Sequence, residues 1–201
     1  MLWLVLANIA IYAWQAISPP EAAQMLIFRW GLSSAGLEEG RIWQFLTHAF
    51  LHGNIWHLAV NVLSLWFAGL AVESQIGKLH FLLLYALSAV GGGIGQLLIG
   101  PPGIELIGAS GAVCGVLLAF ATVYHDREIL VLVFFVLPIR LRAKYLGWAI
   151  IVVSLVAIIF QLEPWIGHAA HLGGAVTGYL FARAMGYGPR TWPERLIFGS
   201  R

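Results

Sequence analysis

Charge is scarce in this 201-residue chain: Asp, Glu, Lys and Arg together make up 10% of it. An ordinary soluble domain carries about 25%. Eleven basic and nine acidic side chains could not cover the surface of a soluble fold this long, given that 60% of the residues are hydrophobic. Cysteine is nearly absent as well. Cys114 stands alone, which excludes a disulfide scaffold. A formal charge of +2, scattered along the chain, leaves no footprint for nucleic acid. The apolar excess excludes a disordered chain. The class left is an all-α membrane protein.

Six apolar segments approach or reach the ~20 residues that a helix needs to cross the hydrocarbon core. They lie at about 2–17, 54–72, 79–99, 107–124, 145–162 and 165–182, all within one domain covering 1–201. The first lacks a basic region before it and is followed by Ser18-Pro19-Pro20, so it is expected to be a retained span and not a signal peptide. Charge sorts the loops. With the N-terminus in the cytoplasm, Lys78, Arg127, Arg140, Arg142, Lys144, Arg183, Arg190, Arg195 and Arg201 fall inside, and only Arg29 and Arg41 outside. That asymmetry predicts cytoplasmic N- and C-termini. The first outer loop, about 18–53, is too long for a plain turn, and its apolar residues predict that it is partly embedded. The inner apolar run 129–137, ending at Pro138, is too short to span; it predicts an interfacial segment or an extension of the fourth span.

Polar groups inside such segments are costly, which makes them functional candidates. The second span and its approach hold His48, His52, His57 and Asn61; the fourth holds Ser110; the sixth holds His168 and His171. His57 and Asn61, four residues apart, share a helix face and can point at one oxygen, although an interhelical polar clamp would use the same pair. Ser110 lies between Gly108 and Gly111, which permit close approach of other backbone; helix packing alone would also explain it. Gly174 and Gly178 form a Gly-x-x-x-Gly pair just after His171. Such a groove brings two helices close enough for His171 to reach a serine on the facing helix. Acyl transfer needs a nucleophile, a base within hydrogen-bond reach and donors for the oxyanion, and Ser110, His171 and the His57/Asn61 pair supply all three. No span contains Asp, and His-Glu-x-x-His is absent, which removes aspartyl and zinc-type intramembrane hydrolysis. The histidines have no carboxylate at ligand spacing, so neither a metal nor another cofactor is expected.

Gly108-Ala109-Ser110-Gly111, Ala170-His171-Leu172-Gly173-Gly174 and His57-x-x-x-Asn61 together resemble the rhomboid family of intramembrane serine proteases. Trp43, Thr47-His48, His52 and Glu73 extend the likeness, which runs from about residue 40 to 180. The resemblance implies a six-transmembrane-helix rhomboid-like bundle and a Ser–His dyad without a third acid. Ser110 is then the nucleophile and His171 the general base; His57, Asn61 and the Ser110 N–H form the oxyanion hole. Gly174 and Gly178 bring the sixth helix against the fourth. The implied partners are transmembrane protein substrates and the lipid bilayer. The fifth span and the loop 161–167 would act as gate and cap, with Leu162, Trp165 and Ile166 as the plug. Two positions depart from the family pattern. Gln44 stands where the Trp-Arg motif of the first loop has Arg, and Cys114 where many members pack an aromatic ring against the catalytic His, so His171 is expected to be held either more loosely or by another ring. The rival readings are a catalytically silent relative that escorts membrane clients, which would lack the Ser or the His, and a small transporter, which would show repeat symmetry. With no organelle-type presequence, a bacterial inner membrane is the expected location.

Overall fold

The computed structural model describes residues 1–133, 136–163 and 165–189. Arg190, Arg195 and Arg201, counted above among the inner charges, lie outside the described residues, as do two residues of the apolar run 129–137.

Helix α1 (Leu2–Ile17) is apolar except for Asn8 and Gln15 and stops where Pro19 and Pro20 remove the N–H groups that a further turn needs. Ser18 closes it, its N–H and its hydroxyl both donating to the Trp14 carbonyl at 3.2 and 2.8 Å. The long first loop is not extended chain. It folds into α2 (Pro20–Trp30), α3 (Ser34–Glu38), α4 (Gln44–Thr47) and a 3₁₀ turn at His48–Phe50. Proline at the first position of α2 sacrifices only an N–H that would be orphaned anyway. Ser33 caps α3 by accepting from the Gly36 N–H at 3.1 Å.

Among the described residues two helices are both long and apolar enough to cross a membrane by themselves, α5 (Ile55–Ile76) and α6 (Lys78–Ile99). Asn54 caps α5, accepting from the His57 N–H at 2.9 Å. Between α5 and α6 stands Gly77 at φ +81°, a left-handed turn that side chains disfavour. The shorter helices α7 (Ser110–Val123), α8 (Ala143–Ile159) and α9 (His168–Ala184) complete the bundle.

Three expected boundaries shift. The segment placed at 107–124 becomes helical only at Ser110, because Gly108 takes φ +121° and cannot join the helix. The 145–162 segment runs over Ala143–Ile159 and ends before Gln161 and Glu163, whose φ values are +51° and +48°. The 165–182 segment begins as α9 at His168.

The expectation of an all-α chain needs correction. Between α7 and α8 lies an antiparallel hairpin of β1 (Glu128–Val133) and β2 (Leu137–Arg142), with Ile129 opposite Leu141 and Val131 opposite Ile139. Pro138 blocks a helical extension, and β-branched Ile129, Val131, Val133 and Ile139 favour strands. Two backbone bonds close its base: Ala143 N–H to Arg127 C=O at 2.9 Å, and Lys144 N–H to His125 C=O at 3.1 Å. Lys144 also donates to Asp126 at 2.8 Å. That bond first, with the charges of His125, Lys144 and Arg142, holds the exposed Asp126 carboxyl below its ordinary range. The link is therefore present at neutral pH and fades as acid protonates the carboxylate.

Helix α9 packs between α6 and α7 through glycine. A Cβ built on Gly174 collides with the Gly111 carbonyl, and one on Gly178 with the Gly115 carbonyl. Against α6, a Cβ on Gly173 would strike the Gly91 carbonyl, and one on Gly95 would come 2.5 Å from the Ala169 carbonyl. The contacts are backbone on backbone, so nothing can yield by changing rotamer.

Gly174→Ala is expected to destabilise the bundle by about 1–3 kcal/mol, the usual cost of overpacking. Gly53→Ala, whose Cβ would meet only Ile107 at 4.0 Å, is the control. Thermal unfolding in detergent reads both; equal midpoints for the two variants would contradict the packing account.

Candidate active site

Ser110 opens α7, and the backbone ahead of it is fixed from two directions. Leu32 and Leu106 exchange backbone hydrogen bonds at 3.0 and 2.8 Å, tying the entering strand to the first loop. Two residues later the Gly108 N–H donates to the His48 carbonyl at 2.9 Å. Gly108 therefore works as a turn and not in a helix–helix contact. Its missing Cβ has a second use: a methyl there would lie 2.5 Å from Cε1 and 2.7 Å from Nε2 of His57. Only glycine lets that imidazole rest against the chain just before Ser110.

His171 sits in the first turn of α9, its N–H donating to the Gly167 carbonyl at 2.9 Å. Its Nε2 lies 2.8 Å from Ser110 Oγ, within hydrogen-bond distance across 61 positions of sequence. The helix contacts described above set this separation, since Gly111 directly follows Ser110 and Gly174 lies three residues after His171. The ring beside His171 is His168, edge-on, with centroids 5.8 Å apart and planes at 86°.

Asn61, buried on α5, donates through Nδ2 to the His57 carbonyl at 2.9 Å. An amide nitrogen has two hydrogens, so one donor stays available. His57 packs at 5.0 Å against the ring of His52. His52 in turn is clasped by Gln15 of α1, which donates to the His52 carbonyl at 2.9 Å and accepts from its N–H at 3.2 Å. Spacing gave no hint of Gln15; the only signal was an amide near the end of an otherwise apolar segment.

Gln44, in the place of the expected arginine, is fully buried. Its oxygen accepts from the Ser33 N–H at 3.3 Å, and its nitrogen lies 3.3 Å from the carbonyls of both Phe28 and Arg29. Neighbours serve the same helix end. Trp43 donates to the Arg29 carbonyl at 3.1 Å, Thr47 to Trp30 at 2.7 Å, and Arg41 to Phe28 at 2.9 Å while its guanidinium lies 4.1 Å from the centre of the Phe28 ring. A neutral amide thus anchors α2 without a buried charge, satisfying carbonyls that a helix C-terminus leaves open.

A cavity of about 350 Å³ opens where the C-terminal ends of α6 and α8 meet the start of α9, lined by Ile99, Pro101, Ala157, Leu162, Ile166 and His168 among others. Two of the expected plug residues, Leu162 and Ile166, are part of this lining, whereas Trp165 is 72% exposed. Ser110 is not in it. Among the described residues no group of three His, Cys, Asp or Glu side chains is placed to hold a metal ion.

Comparison with known proteins agrees with this architecture. Residues 39–188 match the family model described as the Rhomboid domain. The chain belongs to the rhomboid family, whose members are integral membrane proteins. It is 32% identical over 166 residues to the rhomboid protease GluP of Bacillus subtilis, covering 82% of this chain and 29% of that one. It is 29% identical over 207 residues to the rhomboid protease AarA of Providencia stuartii, covering 91% and 71%. RHOMBOID-like protein 1 of Arabidopsis thaliana is 32% identical over 147 residues, covering 69% and 33%. The chain thus spans about a third or less of the length of two of these relatives.

Gln44→Ala is expected to lower stability by about 1–3 kcal/mol, because the Ser33 N–H and two carbonyls lose a buried partner. Thermal unfolding in detergent checks this. An unchanged midpoint would show that the amide does not hold the loop.

Proposed function

We propose that the chain is an intramembrane serine endopeptidase that cleaves transmembrane segments of other membrane proteins with a Ser110–His171 dyad. The observation that carries this reading is the 2.8 Å separation of His171 Nε2 and Ser110 Oγ. Membership of a family that includes named proteases supports it.

With its proton on Nδ1, His171 accepts the Ser110 proton through Nε2 as Oγ attacks the scissile carbonyl. The tetrahedral oxyanion is met by the Ser110 N–H, which has no intrahelical partner at the start of α7. The His57 ring and the second amide hydrogen of Asn61 add donors. His171 then protonates the leaving amine, and water releases the acyl-enzyme. Hydrolysis needs water, so the site works in a polar pocket open to the outer face. A helical substrate must present extended backbone, and small or helix-breaking residues at the cleavage point lower that cost.

In this reading α1, α5, α6, α7, α8 and α9 are six spans, with both termini cytoplasmic and the protein in a bacterial inner membrane. The first loop lies partly in the interface, in keeping with α2, which buries none of its residues and leaves Met25 and Phe28 exposed. Helix α8 and the loop after it form the gate and cap.

The test is cleavage of a model transmembrane substrate in detergent and in liposomes, followed by gel. Wild type is expected to cut, and Ser110→Ala to abolish cutting while keeping the fold. His57→Ala is expected to reduce kcat by about 10²–10³, the usual effect of losing one oxyanion donor. Cleavage that persists in Ser110→Ala would overturn the dyad. Intact substrate with folded wild type would favour the client-escort reading.

A further inference from the structure

The β1–β2 hairpin has no role in the chemistry just described, yet its charged residues Glu128, Arg140 and Arg142 all lie on one face, beside Leu130. Strand alternation and register put Ile129, Val131, Leu137, Ile139 and Leu141 on one face. The other face carries Arg140 opposite Leu130 and Arg142 opposite Glu128. On the apolar face Leu137 is 57% exposed and Ile139 39%, while Ile129, Val131 and Leu141 are half-buried. The hairpin is also held in place. Both backbone bonds at its base, with the Lys144–Asp126 bond, tie it to the adjoining ends of α7 and α8. These two helices enter the apolar bundle from one side, so the hairpin sits at the level where hydrocarbon gives way to headgroups.

From this placement we propose that the hairpin is an interfacial lipid-binding element, its apolar face in the acyl boundary and Arg140 and Arg142 on the phosphates of anionic lipid headgroups. Charge complementarity selects that occupant. The stretch 125–144 carries Arg127, Arg140, Arg142 and Lys144 against Asp126 and Glu128. Asp126 is engaged by Lys144 at 2.8 Å and lies 3.8 Å from Arg142, while Arg140 makes no ion pair among the described residues. An apolar face sunk about 5–10 Å into the boundary leaves the opposite face in the headgroup layer, where long arginine side chains reach phosphate.

The experiment uses the full chain in nanodiscs of phosphatidylcholine, alone or mixed with phosphatidylglycerol. An Ile139→Cys thiol reports exposure by its rate of reaction with an uncharged, membrane-impermeant maleimide, the wild-type rate giving the Cys114 background. Each basic residue near an anionic surface contributes about fivefold in partition. The rate is expected to fall about tenfold or more on adding phosphatidylglycerol. Adding Arg140→Gln and Arg142→Gln to the same protein should restore it to within about twofold of the phosphatidylcholine value. The same rate in both lipids overturns the proposal. So does a slow rate that ignores both lipid charge and the arginines, since that would leave apolar burial without headgroup recognition. No substrate enters the measurement, so its outcome is independent of whether Ser110 is catalytic.

Discussion

The backbone contact of Gly174 in α9 with the Gly111 carbonyl of α7, too close for any Cβ, sets the geometry around Ser110. In lipid there is no hydrophobic force to drive one apolar helix against another, so the contact must arise from packing itself. Glycine makes this possible by letting backbones touch. The same device repeats one turn on at Gly178 and Gly115, and on the opposite side of α9 at Gly173 and Gly91. Helix α9 is thereby wedged between α6 and α7, with His171 in its first turn facing Ser110.

A second set of constraints comes from the first loop, and it is almost wholly polar. Gln44, Trp43, Thr47 and Arg41 satisfy the last carbonyls of α2, the Leu32–Leu106 bridge holds the strand entering α7, and the His48 carbonyl takes the Gly108 N–H. Gln15 reaches from α1 to fix His52, whose ring backs His57. The loop thus positions His57 and the turn at Gly108, while the glycine contacts set Ser110 beside His171. The two halves meet at Gly108, where a turn and a bare Cα are needed at once.

Much of this was legible in the sequence for a physical reason. Ser110, His57, Asn61 and His171 are polar groups in apolar surroundings, where they stand out at once and gain weight jointly, and Gly174 and Gly178 follow helical spacing. Gly91, Gly95 and Gly173 were harder: a cluster of glycines does not say which face meets a neighbour. The hairpin was hidden because a short, wholly apolar run fits strand and helix alike. The start of α7 at Ser110 depends on the positive φ of Gly108, and hydropathy carries no information about dihedral angles. Gln15 and Gln44 hydrogen-bond to backbone far away in sequence, so composition and spacing could not show their partners.

The account stands on the activation of one hydroxyl by one imidazole. Labelling of the detergent-solubilised protein with a fluorophosphonate, with the modified residue mapped by mass spectrometry, tests it most directly. Modification is predicted at Ser110 and at no other serine, and is predicted to vanish in folded His171→Ala. Labelling that ignores His171, or a folded wild type that takes no label at Ser110, would contradict the account.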